Sequence, residues 1–194
     1  MNVTPIFINF LATESLKLDN GRIEKFAHDL KKLSSGRMVS NVCGWQSNNL
    51  DLKAPELREL CEAVDKKLNE LHAYFNLSPS RRQVISEAWI NVNNRGGSNF
   101  THNHPGSFFS CVYYVKGGEK KGNIEFTTPI EAHAYTIHEH MVSGYNAFTG
   151  HAISIPPITG ELLIFPSWLM HFVRPNDTDE DRISIALNSG MIEK

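Results

Sequence analysis

DRISIALN, residues 181 to 188, alternates strictly. Ile183, Ile185 and Leu187 point one way, and Arg182, Ser184, Ala186 and Asn188 point the other, so the stretch reads as a β-strand with two unlike faces. An edge strand with a solvated outer face gives this pattern. So does a strand whose polar row looks into the interior of a barrel. In the second case Arg182 is a buried guanidinium that requires an anion, because an unpaired buried charge is costly to keep.

Upstream of this strand, short β-type runs are separated by Gly, Pro and Asn: Ile85 to Val92, Phe108 to Val115, Ile124 to Phe126, Ala152 to Ile155, Leu162 to Phe165 and Leu169 to Val173. The breaks KGGEKKGN, PPITGE and RPNDTDED are turns by composition. Helical spacing belongs to the first half of the chain. Ile23, Phe26, Ala27, Leu30 and Leu33 form one stripe after Asn20, which can cap the helix. Leu57, Leu60, Cys61, Val64, Leu68, Leu71 and Phe75 form a stronger stripe, with Pro55 in its first turn. Val3 to Leu11 reads as an opening strand. The pattern predicts a mainly β protein with flanking α-helices: a sandwich or barrel-like core, with the helices laid on one outer face. The whole chain, 1–194, is expected to be a single domain, with a strand and supporting helices in 1–83 and the β core in 84–190.

Composition excludes little but points consistently. Lys+Arg 19 against Asp+Glu 21 leaves a net charge of -2, which gives no general pull toward nucleic acid or membrane surfaces. Cys43, Cys61 and Cys111 have neither zinc-type nor redox-type spacing, so free thiols in a reducing, cytoplasmic setting are expected. The opening residues lack the basic region of a signal peptide. No segment approaches the roughly 20 apolar residues of a membrane span.

Two histidines stand one residue apart in SNFTHNHPGS, residues 98 to 107. On an extended strand His102 and His104 would share one side and could converge on a metal ion, with His171 of FPSWLMHFV as third ligand. Two solvated loop histidines give the same spacing. His138 and His140 in HEH match it too, but no β-run follows them, so surface or substrate-loop histidines are the expectation for that pair and for the irregular segment 129–151. His72, beside the end of a helical stripe, reads as a boundary or core residue.

Taken together, EAWINVN, HNHPGS, SCVYYV, GELLIFPSWLMH and RISIALN resemble, in order and content, the Fe(II)/2-oxoglutarate-dependent oxygenases, and within them a small family with H-x-H-P-G-S, F-P-S-x-L-x-H and R-I-S-I segments. The resemblance spans about Ile85 to Asn188. It implies a double-stranded β-helix, two antiparallel sheets forming an open-mouthed barrel. It also implies Fe(II) and 2-oxoglutarate as cofactors, and hydroxylation of a small-molecule or protein side-chain substrate with dioxygen, releasing succinate and carbon dioxide. A homodimer is common in such a superfamily.

Residue by residue, His102 matches the first metal ligand, His171 the distal one, Arg182 and Ser184 the pair that grips the far carboxylate of 2-oxoglutarate, and Tyr114 a tyrosine bonded to that carboxylate. Asn91 and Asn93 share the parity of Trp89 and are further candidates to line the pocket. Phe109, Phe165 and Trp168 are candidate apolar walls. One position departs from the common pattern, because His104 stands where a carboxylate is usual. That leaves three arrangements: a three-histidine face, a two-histidine site with an extra open position, or a carboxylate recruited from elsewhere, such as Glu125. A cupin-like metal-binding module or thiol-type dioxygenase, which needs no 2-oxoglutarate, is the alternative function. It gives Arg182 and Ser184 no task.

Overall fold

The computed structural model describes residues 1–2, 9–130, 137–146 and 148–194. In chain order its strands are β1 (Ala12–Ser15), β2 (Asn41–Val42), β3 (Trp45–Gln46), β4 (Arg81–Asn93), β5 (Ser98–His102), β6 (Phe109–Lys116), β7 (Ile124–Thr127), β8 (Ala152–Ile155), β9 (Glu161–Pro166), β10 (His171–Val173) and β11 (Arg182–Glu193). Two helices, α1 (Asn20–Leu33) and α2 (Arg58–Tyr74), lie between the early strands. The strands form a six-stranded sheet, β1-β9-β6-β11-β4-β3, and a five-stranded sheet, β2-β5-β10-β7-β8. Every pairing is antiparallel. This is the double-stranded β-helix core that the sequence resemblance implies.

The alternation in DRISIALN separates two cores. Ile183, Ile185 and Leu187 are buried with Ile23, Ala27, Leu57, Leu60, Val64 and Leu68, so both helices cover the outer face of the larger sheet. Each such side chain taken out of water contributes roughly 1.5–3 kcal/mol, which is what holds the helices down. The opposite row, Arg182, Ser184, Ala186 and Asn188, is also buried although it faces away from the helices. It looks into the barrel, where Tyr114, Ile124, Phe126, Leu163, Phe165, Leu169 and Val173 form a second cluster.

Several boundaries differ from expectation. Residues 3–8 of the expected opening strand lie outside the described residues. Residues 9–11 are not strand, and the first strand is Ala12–Ser15, paired along β9. The first 83 residues do more than support the core: β1 and β3 extend the larger sheet and β2 extends the smaller. Asp19, rather than Asn20, caps α1, its carboxylate accepting from the Arg22 amide at 3.0 Å. Pro55 precedes α2 in a turn, and Leu57 is that helix's N-terminal boundary. β5 was not among the expected strands, since SNFTH has a single large apolar residue. His72 is buried and its Nε2 lies 2.9 Å from the Ser78 carbonyl, a core histidine as expected.

Candidate active site

Strand register stacks the inward side chains in layers. Arg182 opposes Asn93; Ser184 lies between Asn91 and Tyr114; Ala186 lies between Trp89 and Val112; Asn188 lies between Glu87 and Ser110. Arg182, Ser184, Tyr114, Asn91 and Trp89 line the same cavity as His102, His104 and His171.

The three histidines reach that cavity by different routes. His102 ends β5 and His171 begins β10, and the two are direct Cα partners. Two residues further along β10, Val173 pairs with Asn99, so β5 carries an extra residue between the two pairs. That bulge lets Asn99 and His102 both face inward although simple alternation would separate them. His104 is not on the strand at all. Its backbone amide donates to the Ser167 carbonyl at 2.8 Å, which ties the loop before Pro105 to the chain just ahead of His171. The convergence expected from strand spacing is therefore met by a bulge and a loop contact.

One donor nitrogen from each ring falls within 4.8 Å of the other two. His104 Nε2 and His171 Nε2 are 3.3 Å apart. His102 Nδ1 lies 2.7 Å from the Phe100 carbonyl, and His171 Nδ1 lies 2.9 Å from the Leu169 carbonyl. A carbonyl can only accept, so in both rings Nδ1 carries the proton and Nε2 is left with its lone pair directed into the cluster. Burial lowers the pKa of all three rings, that of His104 to about 4 and that of His171 to about 3, with His102 adding to both shifts. The cluster is thus three neutral imidazoles at neutral pH, the form that binds a metal cation.

Arg182 is the other unusual feature. It is 2 % exposed, its Nη1 donates to the Gly122 carbonyl at 3.0 Å, and its Nε has no hydrogen-bond partner. Among the described residues no carboxylate pairs with it. Burial depresses its pKa, against the opposing pull of Tyr114, and burial pushes the Tyr114 phenol up to about 12. A guanidinium with an orphaned N–H, flanked by the buried side chains of Ser184 and Tyr114, is a receptor for a carboxylate or similar anion.

Other candidates fall elsewhere. Asn93 is fully buried opposite Arg182, its Oδ1 without a partner and its Nδ2 3.5 Å from Oδ1 of Asn99, which lines the cavity. Glu125 is not at the cluster. It opposes Phe172, on the sheet face away from His171 and Phe126, and its carboxylate accepts from Arg174 Nε at 2.7 Å. The arrangement that recruits Glu125 is therefore corrected: β7 turns that side chain outward. Phe165 borders the site, its ring 5.0 Å from that of His171, whereas Phe109 packs in the helix-side core and Trp168 is half-exposed. His138 and His140 stack on each other at 5.7 Å, apart from the cluster.

Four further residues at or near the site are not among the candidates read from the sequence, although Glu87 and Asn188 lie within EAWINVN and RISIALN. Ser40 Oγ lies 3.5 Å from His102 Nε2, and Arg37 sits over the Trp89 ring at 5.5 Å. Glu87 and Asn188 connect to His104 from below. Only Asn188 carried a signal, its place in the polar row of DRISIALN.

Comparison with known proteins follows the same lines. A family model described as "Putative 2OG-Fe(II) oxygenase" matches residues 87–188. No curated protein matches the sequence. A prolyl-4-hydroxylase from Pseudomonas putida shares the fold with a TM-score of 0.60 and 13% identity, over 93% of this chain and 92% of that one. HygX from Streptomyces hygroscopicus, with nickel and 2-oxoglutarate bound, gives 0.61 and 14%, over 93% and 82%. A Trichoplax adhaerens prolyl hydroxylase in complex with a hypoxia inducible factor peptide gives 0.64 and 14%, over 92% and 82%. At these identities the likeness is one of fold. No helix among the described residues is long and apolar enough to cross a membrane.

Proposed function

We propose, from the premise that the chain belongs to the 2OG-Fe(II) oxygenase family, that it is an Fe(II)- and 2-oxoglutarate-dependent dioxygenase hydroxylating a small-molecule or protein side-chain substrate. The observation that carries this reading is the buried Arg182, unpaired by any described carboxylate, on the wall of the cavity that holds His102, His104 and His171. A cupin-like site that binds metal alone would have no use for it.

The residues fit both cofactors. Neutral imidazoles suit Fe(II), and Arg182 with Ser184 and Tyr114 suits the far carboxylate of 2-oxoglutarate. When bound, iron and 2-oxoglutarate supply the oxidising chemistry that inserts an oxygen atom from dioxygen into a C–H bond, yielding succinate and carbon dioxide. The protein supplies position. His102 and His171 present proton-free Nε2 atoms because their Nδ1 protons are committed to backbone carbonyls. Arg182 neutralises and orients the carboxylate, Ser184 and Tyr114 add hydroxyl donors, Ile124 and Val173 give the cavity apolar lining, and Phe126 and Phe165 pack against the His171 ring.

Anaerobic addition of 2-oxoglutarate to the Fe(II)-loaded protein tests this directly. The expected result is the visible charge-transfer band of a chelated 2-keto acid. Tight metal binding without that band would overturn the reading in favour of a metal module that does not use the keto acid.

A further inference from the structure

His104 differs from its two neighbours in what holds its ring. His102 and His171 are oriented by backbone carbonyls, but His104 Nδ1 faces a side chain, the Nδ2 of Asn188 at 3.4 Å. The Asn188 amide is clamped from two sides. Its Nδ2 donates to Glu87 Oε1 at 2.7 Å, and its Oδ1 accepts from Ser110 Oγ at 2.8 Å. A carboxylate accepts and cannot donate, so Glu87 fixes the nitrogen end of the amide toward itself and toward His104. The second Nδ2 proton is then directed at His104 Nδ1, which must accept. A neutral imidazole has one proton, and with Nδ1 accepting, that proton is on Nε2. There it faces His171 Nε2 at 3.3 Å, a nitrogen left proton-free because His171 Nδ1 donates to the Leu169 carbonyl. The donors run in one direction, from Asn188 to His104 to His171 to the Leu169 carbonyl.

We propose that Asn188, clamped by Glu87 and Ser110, is the positioning residue that sets the proton of His104 on Nε2, and so makes His104 the conditional member of the cluster. This rests on the metal-site reading above. His102 and His171 already carry their protons on Nδ1, so His171 has only to release the hydrogen bond from His104 before its Nε2 can coordinate. His104 can offer Nε2 to a metal only after its proton moves to Nδ1, and Nδ1–H then needs an acceptor. The amide oxygen of Asn188 can serve, but turning it toward the ring gives up the bond to Glu87 and brings two oxygens together. The choice between a two-histidine and a three-histidine site is thereby placed under the control of a side-chain amide rather than of the backbone.

The test reads ring tautomers in the metal-free, full-length protein carrying ¹⁵N-labelled histidine, through long-range ¹⁵N–¹H correlations that distinguish a protonated Nδ1 from a protonated Nε2. The wild-type chain is expected to show His104 protonated on Nε2, and His102 and His171 on Nδ1. The paired exchange Glu87→Gln with Asn188→Asp reverses the donor direction at constant charge, since the new amide donates to the new carboxylate, which then accepts from the ring. His104 is expected to switch to the Nδ1-protonated form, and Zn(II) affinity, measured by chelator competition, to rise by about tenfold. A wild-type His104 already protonated on Nδ1, or an exchange that moves neither tautomer nor Zn(II) affinity, overturns the proposal. Should the exchanged pair not fold, Asn188→Leu serves: loss of the Nε2–H preference supports the assignment and an unchanged tautomer overturns it. A wild-type chain that binds neither Zn(II) nor Fe(II) sinks the metal-site reading itself, and is told apart because the tautomer pattern is read without metal.

Discussion

His102 and His171 are Cα partners across β5 and β10, so a single backbone register places both imidazoles at the site. Their Nδ1 protons are bonded to carbonyls of their own chain segments, those of Phe100 and Leu169. Nothing in that arrangement depends on a bound ion. Stripping metal with a chelator is therefore expected to leave the far-ultraviolet circular dichroism unchanged. Re-adding Fe(II) or Zn(II) should raise the melting temperature by mass action, with about 2.7 kcal/mol of stabilisation at a hundredfold excess over Kd. Loss of the β signal on chelation would show that the ion builds the site rather than filling it.

Arg182 separates function from stability. Its guanidinium is buried and unpaired by any described carboxylate, with an orphaned Nε, so the folded protein bears a desolvation cost that a leucine would not. Arg182→Leu is expected to leave the urea midpoint unchanged or higher while weakening 2-oxoglutarate binding by roughly 30-fold to 5,000-fold, the loss typical of removing one partner of a buried charged pair. Fe(II) affinity should not move. Retained keto-acid affinity in a folded variant would remove Arg182 from the pocket's chemistry.

Much of this was legible in residues 181 to 188, because strict alternation assigns each side chain to one of two faces and both faces are buried. The helical stripes were equally readable, since Leu60, Val64 and Leu68 recur at the period that one buried helix face requires. His102, at the end of β5, and His104, in the loop beyond it, were harder. SNFTH lacks the apolar alternation of a strand, and the bulge in β5 breaks the parity that a spacing argument assumes. Pairings between distant segments were not legible at all. Glu87 and Asn188 meet because β4 and β11 are in a particular register, and Ser40 reaches His102 because β2 adds to the edge of β5. Neither fact has a local signature.

Acid should destabilise the metal-free protein earlier than its carboxylates alone would dictate. In the folded chain burial holds the pKa of His104 near 4 and that of His171 near 3, below the ordinary 6.5 that the unfolded chain regains. Above about pH 6.5 both states are neutral and the stability is fully present. As pH falls below that value the unfolded chain binds protons that the folded chain refuses, and stability declines until the folded values are reached. The slope is at most about 1.4 kcal/mol per pH unit for each ring. Urea midpoints between pH 7.5 and 5 should fall in the wild type and flatten when His104 and His171 are both replaced by Asn. Equal slopes in the two proteins would contradict the assigned burial.

Gly122 joins the fold to the anion pocket. Its carbonyl accepts from Arg182 Nη1 at 3.0 Å, and its φ is +85°, a conformation that side-chain-bearing residues rarely adopt. A Cβ built there would come within 2.1 Å of the Arg174 carbonyl oxygen, a backbone atom that cannot step aside cheaply. Its neighbour Lys121, nearly buried, donates to Glu180 at 2.6 Å and ties this turn to the segment that leads into Arg182. Gly122→Ala thus meets both strain and a clash. Gly96→Ala, at φ +79° with nothing within 4 Å, meets strain alone and is the matched control. Left-handed strain costs about 1–3 kcal/mol, so both variants should melt several degrees lower, Gly122→Ala by the larger amount. Only Gly122→Ala should also weaken 2-oxoglutarate, by tenfold or more, because the carbonyl that aims Arg182 has moved. Equal keto-acid affinity in the two variants would leave the Gly122 carbonyl a structural partner of Arg182 without influence on its aim.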